Sequence, residues 1–264
     1  MAISSNASKL ARLLPLLLVA SVAGVVVVGP RSPTHLEPDL AWASPTLSRP
    51  LGSGDAGVDL LALVGHATAR AILLAAGVAL VGFAVGSPLG ATAALARGRL
   101  ERLVTRACDL VQAFPTFLLA LVVLSAVRVP TRVHLAAVFA LTAWAPFTRL
   151  ALAQTRILRD AAFVEAARAL GGDRVRVVGR HVLPNLLGVV AVQLGGTAAA
   201  IVVSEAALSF VGFGARDGVS LGAVLDQGVA AMLRAPHVLF VGAGAVFVTS
   251  VALMVAGRAF DPKR

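Results

Sequence analysis

Charged residues are scarce in this chain. Asp, Glu, Lys and Arg make up 14% of its 264 residues, against 58% hydrophobic residues and a mean hydropathy of +0.88. That balance leaves too little polar surface to cover a soluble globule. Cysteine is almost absent, and Cys108 alone supplies neither an internal disulfide nor a thiolate metal cage. Lysine is limited to Lys9 and Lys263. Neither follows a glycine-rich turn, so the G-x-x-x-x-G-K-[ST] phosphate cradle is missing and the sequence shows no nucleotide-binding loop of its own. His35, His66, His134, His181 and His237 are scattered without i, i+4 pairing or cysteine partners, a pattern that does not build a metal site. Gly218-Val219-Ser220-Leu221-Gly222 formally matches the G-x-S-x-G nucleophile elbow. That motif needs a strand entering a helix in an α/β sheet, and in an outer loop between apolar helices it reads as a turn. No other paired set of catalytic residues is visible, so the chain is expected to be no enzyme and to hold no cofactor or metal of its own.

Long apolar runs are what the sequence does contain. They cover 13–29, 71–94, 110–127, 133–152, 186–203 and 238–256, each near the roughly 20 residues that a helix needs to cross a bilayer. Hydrocarbon offers backbone N–H and C=O groups no partner, and a closed barrel would show short alternating segments of about ten residues instead. The expected fold class is therefore all-α, a single polytopic transmembrane domain over 1–264 with six helices. The first run could be a cleaved signal peptide, but its apolar core exceeds the usual length and no small-residue cleavage site follows, so a retained helix is favoured.

The net charge of +10 comes almost wholly from arginine, and its distribution argues for membrane orientation rather than nucleic acid as a partner. Assigning alternate loops to one side places Lys9, Arg12, Arg97, Arg99, Arg102, Arg106, Arg149, Arg156, Arg159, Arg168, Arg174, Arg176, Arg180, Arg258, Lys263 and Arg264 together, 16 of the 23 basic residues. Arg31, Arg49, Arg70, Arg128, Arg132, Arg216 and Arg234 fall on the other side. The positive-inside bias then puts both termini in the cytoplasm.

Two connections exceed simple turns. One is the outer segment 30–70, rich in Pro, Gly and Ser, and the other is the basic inner loop 153–185. Within the inner loop Phe163, Ala166, Ala167 and Leu170 follow i, i+3, i+4, i+7 spacing, which predicts a short helix with one small apolar face. Gly171 and Gly172 stop it. A second basic segment, 173–181, is read as a strand of cationic surface, and Pro184 as the start of the fifth span. So short a helix is marginal in water and has to pack on its own bundle or on a separate protein. The competing reading is a solvated basic loop held by anionic lipid headgroups.

Glu165-Ala166-Ala167, then Gly171, then Leu183-Pro184 at this spacing resemble the EAA loop of ABC-transporter permeases that work with a substrate-binding protein. The longer runs 163–171 and 180–185 resemble the dipeptide, oligopeptide and nickel branch in particular. Pro50, Leu51, Gly52, Gly57 and Asp59 are similar to the outer-loop motif P-L-G-T-D-x-x-G-R-D of that branch, with Gly54 and Val58 where Asp and Arg are usual. Further matches in order are Arg70, Arg106, Asp109, Ala113-Phe114-Pro115, Trp144, Arg149, Glu205-Ala206, Leu208-Ser209-Phe210 and Asp261-Pro262. The resemblance implies a MetI-like permease fold in a bacterial cytoplasmic (inner) membrane. It implies a pore shared with a second homologous permease subunit, two ATPase subunits that bind ATP and Mg, and an extracytoplasmic substrate-binding protein. It also implies that Phe163, Glu165, Ala166, Ala167, Leu170, Gly171, Leu183 and Pro184 form the element that couples to the ATPase.

Two features inside the spans add expectations. Gly82, Gly86 and Gly90 repeat every fourth residue, a face that lets another helix approach closely, and Pro88 is expected to kink the same span. Glu205 is an acidic group near membrane depth, which points to the mouth of the pore or to the outer interface, the latter favoured. The alternative class is a secondary transporter or channel working without an ATPase. It calls for charged residues at the midplane, and none is convincingly placed there.

Overall fold

The structure is a computed structural model and describes residues 32–259. The expected span 13–29 lies outside the described residues, as do Lys9, Arg12, Arg31, Asp261, Pro262, Lys263 and Arg264. Among the described residues the regular structure is helical: α1 (Leu60–Ala96), α2 (Gly98–Gln112), α3 (Thr116–Ser125), α4 (Arg132–Leu158), α5 (Ala162–Ala169), α6 (Arg174–Val177), α7 (Leu183–Phe210), α8 (Leu221–Ala230) and α9 (Pro236–Ala259). Four stretches are long and apolar enough to cross a membrane: α1, α4, the run Arg174–Phe210 and α9. Counting α2 and α3 as one bent span adds a fifth.

Where the helices depart from the apolar runs, local chemistry explains the difference. α1 starts at Leu60 rather than near 71 because Asp59 caps it, its Oδ1 accepting from the Leu61 N–H at 2.9 Å. At 37 residues the helix measures about 55 Å, well beyond a hydrocarbon core of about 30 Å, so it is longer than a crossing requires. The run 110–127 is not one straight helix. It breaks between α2 and α3, whose axes differ by 67°. Pro115 stands just before α3 as its N-cap residue and has no N–H to continue the α2 ladder. Pro88 and Pro146 lie inside continuous helices.

The segment 173–181 is helical rather than extended. Asp173 caps α6 through the Arg176 N–H at 2.8 Å, and the chain continues through a π turn, Val178–Val182, into α7. Pro184 therefore sits near the N-terminus of α7 but within a longer helical run that began at Arg174. The wider turn answers a steric demand, since a proline ring collides with the carbonyl four residues back and offers it no hydrogen bond.

The core forms where α1 meets α4 and α7. Ala71, Ala75, Val78 and Ala79 of α1 pack with Leu135, Val138 and Phe139 of α4 and with Ala198, Ile201 and Val202 of α7. The expected glycine face is a close contact between α1 and α4. A Cβ on Gly82, Gly86 or Gly90 would lie 2.7, 2.3 or 2.2 Å from the carbonyl oxygens of Ala143, Trp144 and Thr148. Thr148 Oγ1 donates to the Gly86 carbonyl at 3.0 Å across that interface.

Candidate coupling site

α5 follows a turn at the end of α4, where the Ala161 carbonyl accepts from the Val164 and Glu165 N–H groups. Val164 is fully buried and joins a cluster with Ala91 and Leu95 of α1, Phe147 and Ala151 of α4, and Val177, Val178, Val182 and Leu186 of the following helical run. Ala167 and Leu183 pack partly against the same cluster. The short helix is thus held by its own bundle, through a residue that the 3–4 spacing did not pick out. The expected apolar face points mostly the other way: Phe163 is 40% exposed and Leu170 88%, with Glu165 and Ala166 also exposed.

Gly171 ends α5 in the left-handed region, with φ of +81°. The Gly172 N–H donates to the Ala167 carbonyl at 3.0 Å and the Leu170 N–H to that of Ala166. This is a Schellman-type stop, which satisfies carbonyls that the helix end would leave free. No neighbour lies within 4 Å of a Cβ built on Gly171, so the glycine is required by backbone conformation and not by crowding. Pro184 is exposed, and Asn185 Nδ2 donates to the His181 carbonyl at 2.6 Å in the adjoining turn.

An ionic network anchors the base of this loop to the corner between α1 and α2. Glu101 of α2 accepts from Arg156 Nε at 2.6 Å and faces Arg159 Nη1 at 3.6 Å. Arg159 also pairs with Asp160 and donates to the Ala94 carbonyl, and Asp160 pairs with Arg97. Sequence reasoning counted these arginines only as an orientation signal. Glu101 was the missed partner, and its place four residues after Arg97 in a basic stretch was the only hint.

At the opposite end of the bundle the outer motif shapes a folded cap. Arg49 is buried; its Nη1 donates to Ser53 Oγ at 2.7 Å and to the Gly57 carbonyl at 2.8 Å, while Nη2 meets Glu37 Oε1 at 2.7 Å. Gly52 and Gly57 have φ of +77° and +73°. A Cβ on Gly57 would lie 1.8 Å from the Glu37 carbonyl oxygen, so the turn closes only around glycine. Leu51 packs beside Val58, Leu60, Leu63 and Val224, and Pro50 is exposed. The structure thus brings Gly52, Gly57 and Asp59 into one turn, far along the chain from the α5 loop.

Glu205 is buried at 6% exposure. Ser209 Oγ lies 3.2 Å from its Oε1, and the group lines a void of about 10 Å³ with Arg70 and Arg132, room for about one water. Ser220, the centre of the G-x-S-x-G match, caps α8 by accepting from the Ala223 N–H at 3.1 Å. Its hydroxyl serves a helix end. No cluster of three metal-binding side chains occurs among the described residues.

Residues 86–264, two thirds of the sequence and all of the α5 loop, match the family described as "Binding-protein-dependent transport system inner membrane component". The chain belongs to this family. The transport component is similar to the glutathione transport system permease protein GsiD of Pectobacterium atrosepticum, 33% identical over 201 residues that cover 73% of this chain and 66% of that protein. It is also similar to GsiD of Shigella dysenteriae serotype 1 and of Escherichia coli O6:K15:H31, 32% identical over 228 residues, covering 83% of this chain and 74% of each relative. It thus spans just under two thirds of the first relative's length and about three quarters of the others'. These relatives agree with the resemblance read from the sequence, and the family makes the chain an inner-membrane component of a binding-protein-dependent transport system.

Proposed function

We propose that this chain forms one membrane-spanning half of an importer for short peptides or similar small solutes, with a second homologous permease subunit completing the pore. Two ATPase subunits bind ATP and Mg inside, and a binding protein delivers solute outside. The observation that carries the reading is the orientation of α5. Val164 fixes the helix to the bundle, while Phe163, Glu165, Ala166 and Leu170 stay open to a partner. A push on this face reaches α4 and α7 through the Val164 cluster, and α2 through the Glu101 network. Accessibility of the path would alternate as those helices shift, without covalent chemistry in this chain. The peptide class rests on the relatives named for glutathione, a tripeptide. The arginine distribution supports cytoplasmic termini.

Crosslinking tests the reading. With Cys108 replaced by Ser, Ala166→Cys in the assembled transporter is expected to crosslink to an ATPase subunit, and Glu165→Lys to lower solute-stimulated ATPase activity while leaving the chain inserted. Failure of Ala166→Cys to reach any ATPase in an active assembly would remove the coupling role and return the chain to an ATPase-independent transporter.

A further inference from the structure

A cavity of about 380 Å³ opens beside the bend between α2 and α3, toward the small end of the range that holds small molecules. Its lining includes Gln112 and Thr116 at the bend, Thr142 of α4, and Gln193, Thr197 and Ser204 of α7. The last three follow i, i+4, i+11 spacing and so share one face of α7. Thr142 lies near the middle of α4, and Gln193 to Ser204 near the middle of α7, which puts the cavity at the depth of the bilayer centre. None of its lining residues is charged.

Two observations separate this space from a lipid-facing groove. Residues 112–115 are exposed and mark a break in helical hydrogen bonding. Irregular backbone is tolerated at such depth only against protein or a water-filled cavity. Gln193 also lines a second cavity of about 450 Å³, together with Gly196, Leu150, Met254 and Arg258. Arg258 sits near the end of α9 expected to face the cytoplasm. Gln193 and Gly196 therefore stand where a midplane cavity meets one leading toward the inner face.

We propose that Gln193 is a hydrogen-bonding contact for a short peptide crossing this chain, in a path that runs from the midplane cavity past Gln193 and Gly196 toward Arg258. This rests on the transport reading above. Gln193 Nε2 donates to Thr197 Oγ1 at 3.1 Å, which steadies the side chain along α7. Its amide carries a carbonyl acceptor and a second N–H beyond that bond, and so matches the donor and acceptor of a peptide group. Uncharged hydroxyls and amides along the wall serve successive peptide groups without trapping any one side-chain charge.

The test uses the complete transporter with its binding protein in proteoliposomes. In a Cys108→Ser background, Thr197→Cys and Ser204→Cys are expected to react with a water-soluble thiosulfonate at least about tenfold faster than Leu80→Cys, which is exposed on α1 but lines neither cavity. Uptake of triglycine and glutathione is expected to fall about tenfold in Gln193→Leu, with recovery in Gln193→Asn and with the complex still assembled at wild-type yield. Labelling no faster than at Leu80→Cys overturns the path, because a tightly packed partner helix then fills the cavity. Unchanged peptide uptake in Gln193→Leu overturns the role of Gln193. Fast labelling of Thr197→Cys and Ser204→Cys, together with a wild-type transporter that moves neither peptide, upholds the path but overturns the peptide class, and with it the peptide contact.

Discussion

Replacing Gly86 by alanine isolates the contact on which the α1–α4 interface depends. The added Cβ would lie 2.3 Å from the Trp144 carbonyl oxygen and 3.0 Å from both Phe147 Cβ and the Thr148 nitrogen. Ordinary contact begins near 3.4 Å, so the two backbones have to part by about 1 Å. All three atoms nearest the new methyl are fixed by the α4 backbone, and none can swing aside. Overpacking of this kind costs about 1–3 kcal/mol. The Thr148 hydroxyl, now 3.0 Å from the Gly86 carbonyl, loses its partner at a further cost of about 1 kcal/mol. Alanine returns up to about 1 kcal/mol of helix propensity, which leaves a net loss of about 1–3 kcal/mol. Gly77 provides the control, since it lies in the same helix and a Cβ there meets nothing within 4 Å. The chain carries its own reporter: Cys108 is its single cysteine and is 1% exposed, packed with Ala93, Ala94 and Ala145 beside the same interface. Maleimide-dye reactivity during a thermal ramp of the purified chain in detergent should show Gly86→Ala unfolding several degrees below wild type, with Gly77→Ala at or above it. Equal transition temperatures for Gly86→Ala and Gly77→Ala would refute the close-approach argument.

Gly171→Val forces a β-branched residue to φ of +81°, so it should fray α5 and lower stimulated ATPase activity several-fold with little change in the unfolding transition; a matching loss in Gly171→Ala but not Gly171→Asn would confirm that conformation is the cause. Glu101→Gln strips Arg156 and Arg159 of their shared carboxylate. Because the arginines are partly exposed, the expected stability loss is about 1 kcal/mol, shrinking in high salt, whereas Arg99→Gln should show none. Arg49→Ala leaves Glu37, Ser53 Oγ and the Gly57 carbonyl without their buried donor. Limited proteolysis from outside should then cleave within 32–59 at least about tenfold faster, and an unchanged rate would show that the cap does not depend on this side chain.

Much of the chain's architecture was legible because membrane burial is a demand on composition. An apolar run long enough to cross has to be a helix, and 71–94, 133–152, 186–203 and 238–256 each fall inside one. Gly82, Gly86 and Gly90 were equally legible, since a four-residue glycine repeat states a close contact without naming the partner. The bend at 113–115 was not read, although Pro115 was visible, because a proline either bends or merely occupies an apolar helix according to what surrounds it. Pro88 and Pro146 show the second outcome. Nor was 173–181 read as helical, because its charges mask an anchor of Val177, Val178 and Val182 supplied to a distant cluster.

The sequence by itself determined that the chain lives in a bilayer, where its four long apolar spans run, which end carries the positive charge and which loop carries the family's motif. Those properties follow from local composition and from the backbone's need for internal hydrogen bonds. Tertiary structure alone decided that Val164 anchors α5 while Phe163 and Leu170 stay exposed, that Glu101 gathers two arginines, and that Gln193 lies between two cavities. Each depends on residues far apart in the chain meeting across helices, and a spacing rule confined to one helix cannot tell which of its faces will be covered.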